Sequence, residues 1–318
     1  MPASSIDMSG EIDETSVNIN EAINKNPHYY NNKKKTEQSR MQQQANYLEV
    51  TTNLNPIPFW LAPCHLVAAL FQCMQALFLF AMASQTDLLW FVYTNYPSRD
   101  DETLLEDEYA KPDPQLIGSY PITWYAGLFI LLSAVDHISC IVPGFRQHYE
   151  YYIERHQAPT RWMEYSLSAA LMRMHIAQVA GVTDVHLLFL IFAMTHVSLY
   201  FPALHEKMNA RARAEGMTQN WSAFHCGLIP HMAVWGVIFW YFFSGINRGD
   251  PPGFALILVF SLFVLDFSFP TVFILQWKKV GIFDDYLIGE LSLIGLSFTT
   301  KTFLAWTTIA GANRYSNQ

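Results

Sequence analysis

The stretch "SFTTKTFLAW", residues 297–306, puts Lys301 in the middle of the last apolar segment, with no acid within four residues on either side. A charge at mid-bilayer costs roughly 2.5–3.5 kcal/mol on insertion scales, so a lysine there needs a reason. One is nucleophilic: a desolvated amine has its lone pair free to condense with a carbonyl ligand and form a Schiff base. The other is a structural ion pair, and the cost of the charge is the same under both.

A protonated Schiff base needs a buried anion, and "TRWMEYSLSAALM" supplies one. Arg161 and Glu164 are three residues apart and share a helical face near the start of that segment. An acid at a helix start is also favoured by the helix dipole alone. Further ionisable residues within apolar segments are His65, Asp136 and His137, Arg173 and His175, and Asp266. For the lone histidines, a hydrogen-bonded core role is the ordinary one. Arg173 and Asp266 each need a partner, because an unpaired buried charge is strongly unfavourable; pairing with each other would satisfy both. His225 and His231, six apart, fall on nearly opposite helix faces, which disfavours zinc. No compact set of histidines with an acid, of the kind a seven-helix membrane hydrolase needs, is found.

These residues must be carried by membrane helices. Over 318 residues, 51% are apolar, 15% aromatic and only 14% charged, a composition too apolar for a soluble domain of this size. Seven windows reach the roughly 20 apolar residues of a spanning helix: 57–84, 119–143, 160–182, 184–204, 221–246, 253–277 and 285–312. Turn signals such as "NYPSRDDE", "GVTD" and "RGDPPG" separate them. The third and fourth nearly touch, so "GVTD" is expected to be a tight turn.

Thirteen Lys and Arg fall on one side of the alternating loops, and only Arg99, Lys111, Arg248 and Arg314 on the other. The positive-inside rule then puts the N-terminus in the cytoplasm and the C-terminus outside. The net charge of −8, with dispersed basic residues, argues against a nucleic-acid partner. Residues 1–50 are polar and are expected to form a disordered cytoplasmic arm, leaving 51–318 as the membrane domain. The four cysteines lie in or at the edge of apolar stretches and read as core thiols. The first outside loop, about 87–116, is long; "LLWFVYTNY" within it has the β-branched and aromatic content of a strand, so a short hairpin or a partner surface is one reading of it and a plain solvated acidic loop the other.

Two segments resemble the heliorhodopsin family. "LQWKKVGIFDDYLIGELSLIGLSFTTKTFLAW" is similar to the end of helix 6 and all of helix 7, with Lys301 at the retinal-bearing position. "RWMEYSLSAALM" is similar to the helix 3 motif, with Glu164 at the counterion position and Arg161 beside it. "CHLVAALFQ", "LLSAVDH" and "FSFP" are weaker matches. The resemblance implies an all-α seven-helix bundle, no enzymatic activity, and all-trans retinal bound to Lys301 as a protonated Schiff base neutralised by Glu164. It further implies chromophore contacts from Arg161, Tyr165, Ser168 and Met172 of helix 3, Phe267, Phe269 and Gln276 of helix 6, and Thr300 beside the lysine. His65 and His137 match the family's polar cavity histidines, and the first outside loop is expected to take part in a homodimer.

In function, the resemblance implies a plasma-membrane photosensor that signals to a cytoplasmic partner, since most heliorhodopsins do not pump ions. The alternative is a light-gated passive proton conductor, resembling some viral members. His65, His137, Arg173, His175 and Asp266 are its candidate proton carriers, with His175 about three turns beyond Glu164.

Overall fold

The computed structural model describes residues 60–83, 89–95, 114–249 and 253–316, together with isolated positions between 28 and 41. The polar arm expected over residues 1–50 falls almost wholly outside the described residues, as does the acidic "RDDETLLEDEY" of the first loop. The chain divides into two units, Met1–Asn55 and Pro56–Gln318, and the elements below belong to the second.

In chain order these elements are α1 (Leu61–Ala83), β1 (Leu89–Thr94), β2 (Gln115–Pro121), α2 (Ile122–Ser139), α3 (Phe145–Ile153) and α4 (Pro159–Val179). There follow α5 (Val185–Ser198), α6 (Tyr200–Ala214), α7 (Ser222–Ile246), α8 (Gly253–Trp277), a 3-10 turn (Gly281–Asp284) and α9 (Tyr286–Ser316). Among the described residues six helices are long and apolar enough to cross a membrane: α1, α2, α5 with α6 taken together, α7, α8 and α9. At 21 residues, about 31 Å, α4 is long enough, but Arg161, Glu164, Arg173 and His175 make it less apolar than the others.

Those polar residues of α4 are turned inward. Arg161 and Arg173 are 3% exposed, Glu164 7% and His175 0%, whereas Val67, Leu77, Ile229 and Trp240 on neighbouring helices are 68–75% exposed. Charges inside and large apolar side chains outside is the pattern of an integral membrane protein, whose helices are held by close packing rather than by exclusion of water. Along α7 and α8 that packing is aromatic: Phe263 lies 5.1 Å from Trp235, 5.0 Å from Phe239 and 4.5 Å from Phe267, centroid to centroid. The expectation of four core thiols holds only for Cys140. Cys64 and Cys73 are half-buried, and Cys226 is exposed on the same outward surface of α7 as Ile229.

The window at 184–204 continues to Ala214 as two helices broken at Leu199. Pro202 has no N–H to give the Ser198 carbonyl, and Gly227 of α7 packs there, so close that a Cβ would stand 2.7 Å from Phe201 Cβ and 3.1 Å from that carbonyl. α3, which the sequence did not announce, buries only Tyr149 and Ile153. Of the two readings of the first loop, the hairpin is present: β1 and β2 pair antiparallel from Leu89↔Pro121 to Thr94↔Gln115, with an irregularity at Val92/Tyr93. It is fastened to the "GVTD" turn by Tyr93 N–H donating to the Thr183 carbonyl at 3.0 Å. That turn is tight because Gly181 takes φ +100° and Asp184 caps α5 through the Leu187 N–H. The starts of α4 and α9 and the ends of α6 and α8 meet at one end of the bundle, where Arg213 donates to the carbonyls of Gln276 and Asp284. We call this the basic end and the opposite one the hairpin end.

Candidate functional site

Lys301 stands at the midpoint of α9, 3% exposed. Its Nζ donates to Glu164 Oε1 of α4 at 2.6 Å and to Ser133 Oγ of α2 at 3.0 Å, and lies 5.3 Å from the Tyr165 ring centroid. Three helices thus converge on one nitrogen. The shared face of Arg161 and Glu164 does not make them partners. Arg161 points instead to the basic end, with Nη2 2.7 Å from Glu206 Oε1 and Nη1 on Glu290 Oε2. Glu164 lies deeper along α4 and meets the cation of α9.

From Lys301 a largely apolar cavity extends between α4, the α5–α6 break, α7 and α8. Of the residues expected around a chromophore, Tyr165, Ser168, Met172, Phe269 and Thr300 line it. Tyr165 is locked by its OH donating to the Leu293 carbonyl at 2.8 Å. The hydroxyls of Ser168 and Thr300 are buried with no hydrogen-bond partner. Phe267, Gln276 and Arg161 are not among the lining residues. Phe267 packs edge-on against His231, centroids 5.0 Å apart, and Gln276 donates to the Tyr286 carbonyl at the basic end.

The cavity reaches the two charges that needed partners, and they have each other. Arg173 Nη2 donates to Asp266 Oδ2 at 2.6 Å and lies 2.5 Å from His231 Nδ1, while Trp235 Nε1 also donates to Asp266 Oδ2 at 2.6 Å. Pro270, one turn on, leaves the Asp266 carbonyl without its helical donor. On the other side of Lys301, His65 and His137 are bonded to each other at 2.9 Å, and His65 Nε2 to the Tyr149 hydroxyl at 3.0 Å. Ser133 ties this side to the lysine, accepting from Gln72 at 3.2 Å. Toward the hairpin end, His175 Nε2 meets Thr308 Oγ1 at 3.0 Å, its ring stacked on Tyr125 and edge-on to Trp90 and Phe129.

Residues 61–312 match the heliorhodopsin family. This chain belongs to it. As a heliorhodopsin it is a retinal light-absorbing protein of the membrane. A comparison with curated proteins gives no match. Among solved structures, a light-driven proton pump from Leptosphaeria maculans is similar in fold, with a TM-score of 0.51 over 80% of this chain and 98% of that one at 13% identity.

The heliorhodopsin site has the chemistry to hold retinal. It presents a buried primary amine with an adjacent carboxylate at one end of an apolar cavity, and two orphaned hydroxyls along its wall. Several residues of the site are not singled out by the sequence: Ser133, Glu206, Glu290 and Trp235; His231 stands out there only as a zinc candidate, not as a partner of Arg173 and Asp266. Ser133 precedes Asp136 and His137 by three and four residues, and Glu290 precedes Lys301 by eleven, so each shares a helix face with a residue that was noticed. The α5–α6 wall carries no such signal, because its contribution comes from the break at Leu199.

Proposed function

We propose that this heliorhodopsin is a photosensor with a long-lived signalling state, carrying all-trans retinal on Lys301 with Glu164 as the counterion. The buried pair of Lys301 Nζ and Glu164 Oε1, opening on an apolar cavity, is the observation that carries this reading. In this reading α4 is also a span, the third in chain order, and brings the number to seven; its polar residues are sheltered by its neighbours, and the N-terminus is cytoplasmic at the plasma membrane. The protein self-associates through the first outside loop, where Leu116 and Ile117 of β2 are exposed, and signals to a cytoplasmic partner.

Retinal, when bound, supplies visible absorption and a double bond that isomerises in light. The chain supplies the rest. Glu164 balances the positive charge at the Lys301 nitrogen and lowers the energy of the state in which that charge stays localised there. Tyr165 and Phe269 wall the cavity and exclude water from the pair. A proton leaving the Lys301 nitrogen has Glu164 Oε1 and Ser133 Oγ within hydrogen-bond reach.

A second reading, a light-gated passive proton conductor, draws support from the Arg173–Asp266–His231 group on the cavity wall and from His175 beyond it. Buried ionisable side chains in series are how membrane proteins relay protons. The test is whole-cell voltage clamp under green light in retinal-fed cells at two external pH values, with an absorption spectrum of the same protein. A visible pigment without current supports the sensor; a current whose reversal potential follows the proton gradient supports the conductor. Absence of a pigment would remove both.

A further inference from the structure

The basic end holds an ionic group that the Lys301 site does not use. The two terminal nitrogens of Arg161 are held by carboxylates from different helices, Glu206 of α6 at 2.7 Å and Glu290 of α9. Both acids are 1% exposed. Glu206 is further served by the Ala158 N–H at 2.8 Å and the Tyr286 hydroxyl at 3.3 Å. The other titratable groups facing Arg161 are the phenols of Tyr149 from α3, Tyr165 from α4 and Tyr286 from α9, and, on the side of Glu164 and Lys301, the carboxyl of Asp136 from α2. Of the further cations on α6, Lys207 is exposed and Arg213 is occupied by the backbone carbonyls of Gln276, Phe283 and Asp284. His156 of the α3–α4 loop reaches the group only through its ring contact with Tyr286. Fully ionised, the group would have two anions on one cation among buried side chains.

Such a charge imbalance is costly in a buried site, and two carboxylates gathered within a few ångström resolve it by keeping one proton between them. Glu206 also lines a second, open cavity; its wall is largely apolar, with Val197, Phe201 and Leu204, but includes Tyr152, Gln157 and the exposed Lys207, and it is the candidate path for that proton.

We propose that Glu206 and Glu290 together bind one exchangeable proton across Arg161, and that the pair trades it with solution at the basic end through the cavity beside Glu206. Arg161 is three residues, one helical turn, from Glu164. Any change of charge at Glu164 therefore bears on the guanidinium that holds the pair, and light drives the proton on or off. This last step rests on the retinal reading; the proton bound in the dark does not.

The dark site is tested by infrared spectroscopy of the full-length protein in H2O and D2O, comparing the parent with Glu206→Gln and Glu290→Gln. A deuterium-sensitive carboxylic acid band is expected in the parent and is expected to vanish in either variant alone, because the acid that remains pairs with Arg161 as a carboxylate. A band lost in only one variant would overturn the sharing, and a band lost in neither would overturn the proton. Glu206→Asp and Glu290→Asp guard against misfolding; each should keep the band at a displaced frequency, and its loss in a variant that still folds would count against the site. Flash excitation with a pH-indicating dye tests the coupling. A transient proton signal is expected in the parent and not in pigment-forming Gln variants, and an unchanged signal there would overturn it. A parent that forms no pigment defeats the retinal reading while leaving the infrared result to stand on its own.

Discussion

Lys301 is tolerated inside an apolar helix because its charge is met on two sides, by Glu164 and by the Ser133 hydroxyl. A charge in an apolar run is conspicuous in one dimension, which is why Lys301 and Glu164 were legible in the sequence. Their neighbours were not, since Glu206 and Glu290 reach Arg161 from two other helices and nothing local marks the meeting. The Arg173–Asp266 pair sits between these cases: the need for partners was legible, His231 stood out only as a metal candidate that helix geometry disfavoured, and Trp235 did not stand out at all. Lys301→Ala is expected to abolish visible absorption when retinal is added, and a surviving visible pigment would assign attachment elsewhere. Glu164→Gln removes the anion that favours the charge-localised ground state, so absorption should move to the red. An unshifted spectrum would transfer the counterion role to another acid, Asp136 on α2 being the next to examine.

At the scale of elements, hydropathy located the helices and missed their punctuation. The hairpin was legible from the residues of β1, and the "GVTD" turn from its glycine and its capping aspartate. The break at Leu199 was not, because one proline in an apolar run declares a break only when another helix takes up the freed carbonyl. Gly227 makes that packing possible. Gly227→Ala should force α7 away from the break and cost about 1–3 kcal/mol, the usual range for overpacking, seen as a lower Tm of the purified protein; an unchanged Tm would mean that Phe201 gives way freely.

The α3–α4 loop carries a second element-scale consequence. His156 sits there at φ +56°, and burial, helped by the nearby Arg213 and Lys279, holds its imidazole down at about 4 against 6.5 when free. Unfolding restores the higher affinity for a proton, so the unfolded chain binds more protons between those two values and stability falls as pH drops from about 6.5 toward 4. Asparagine tolerates the same left-handed backbone without titrating. His156→Asn should therefore flatten the fall of Tm over that window, and an identical pH slope would show that other groups set it.

For the molecule as a whole, the polarity is inverted: charged groups lie inside and large apolar side chains outside. α4 does not qualify as a span by its own hydropathy, yet its polar residues are covered by its neighbours, so apolarity along the chain understates what the assembled bundle can hold in a membrane. By the positive-inside rule the excess of Lys and Arg at one end of the alternating loops predicts a cytoplasmic N-terminus and an outside C-terminus. A C-terminal epitope should therefore be stained on intact cells and an N-terminal one only after permeabilisation; the reverse pattern would invert the orientation. The hairpin gives its end of the bundle a mechanical part of its own. Tyr93 is bonded to the main chain of Thr183, and Trp90 rests against His175 of α4. A displacement of α4 would thereby be passed on as a tilt of a two-stranded ribbon, a lever at the hairpin end that a second protein could feel without approaching Lys301.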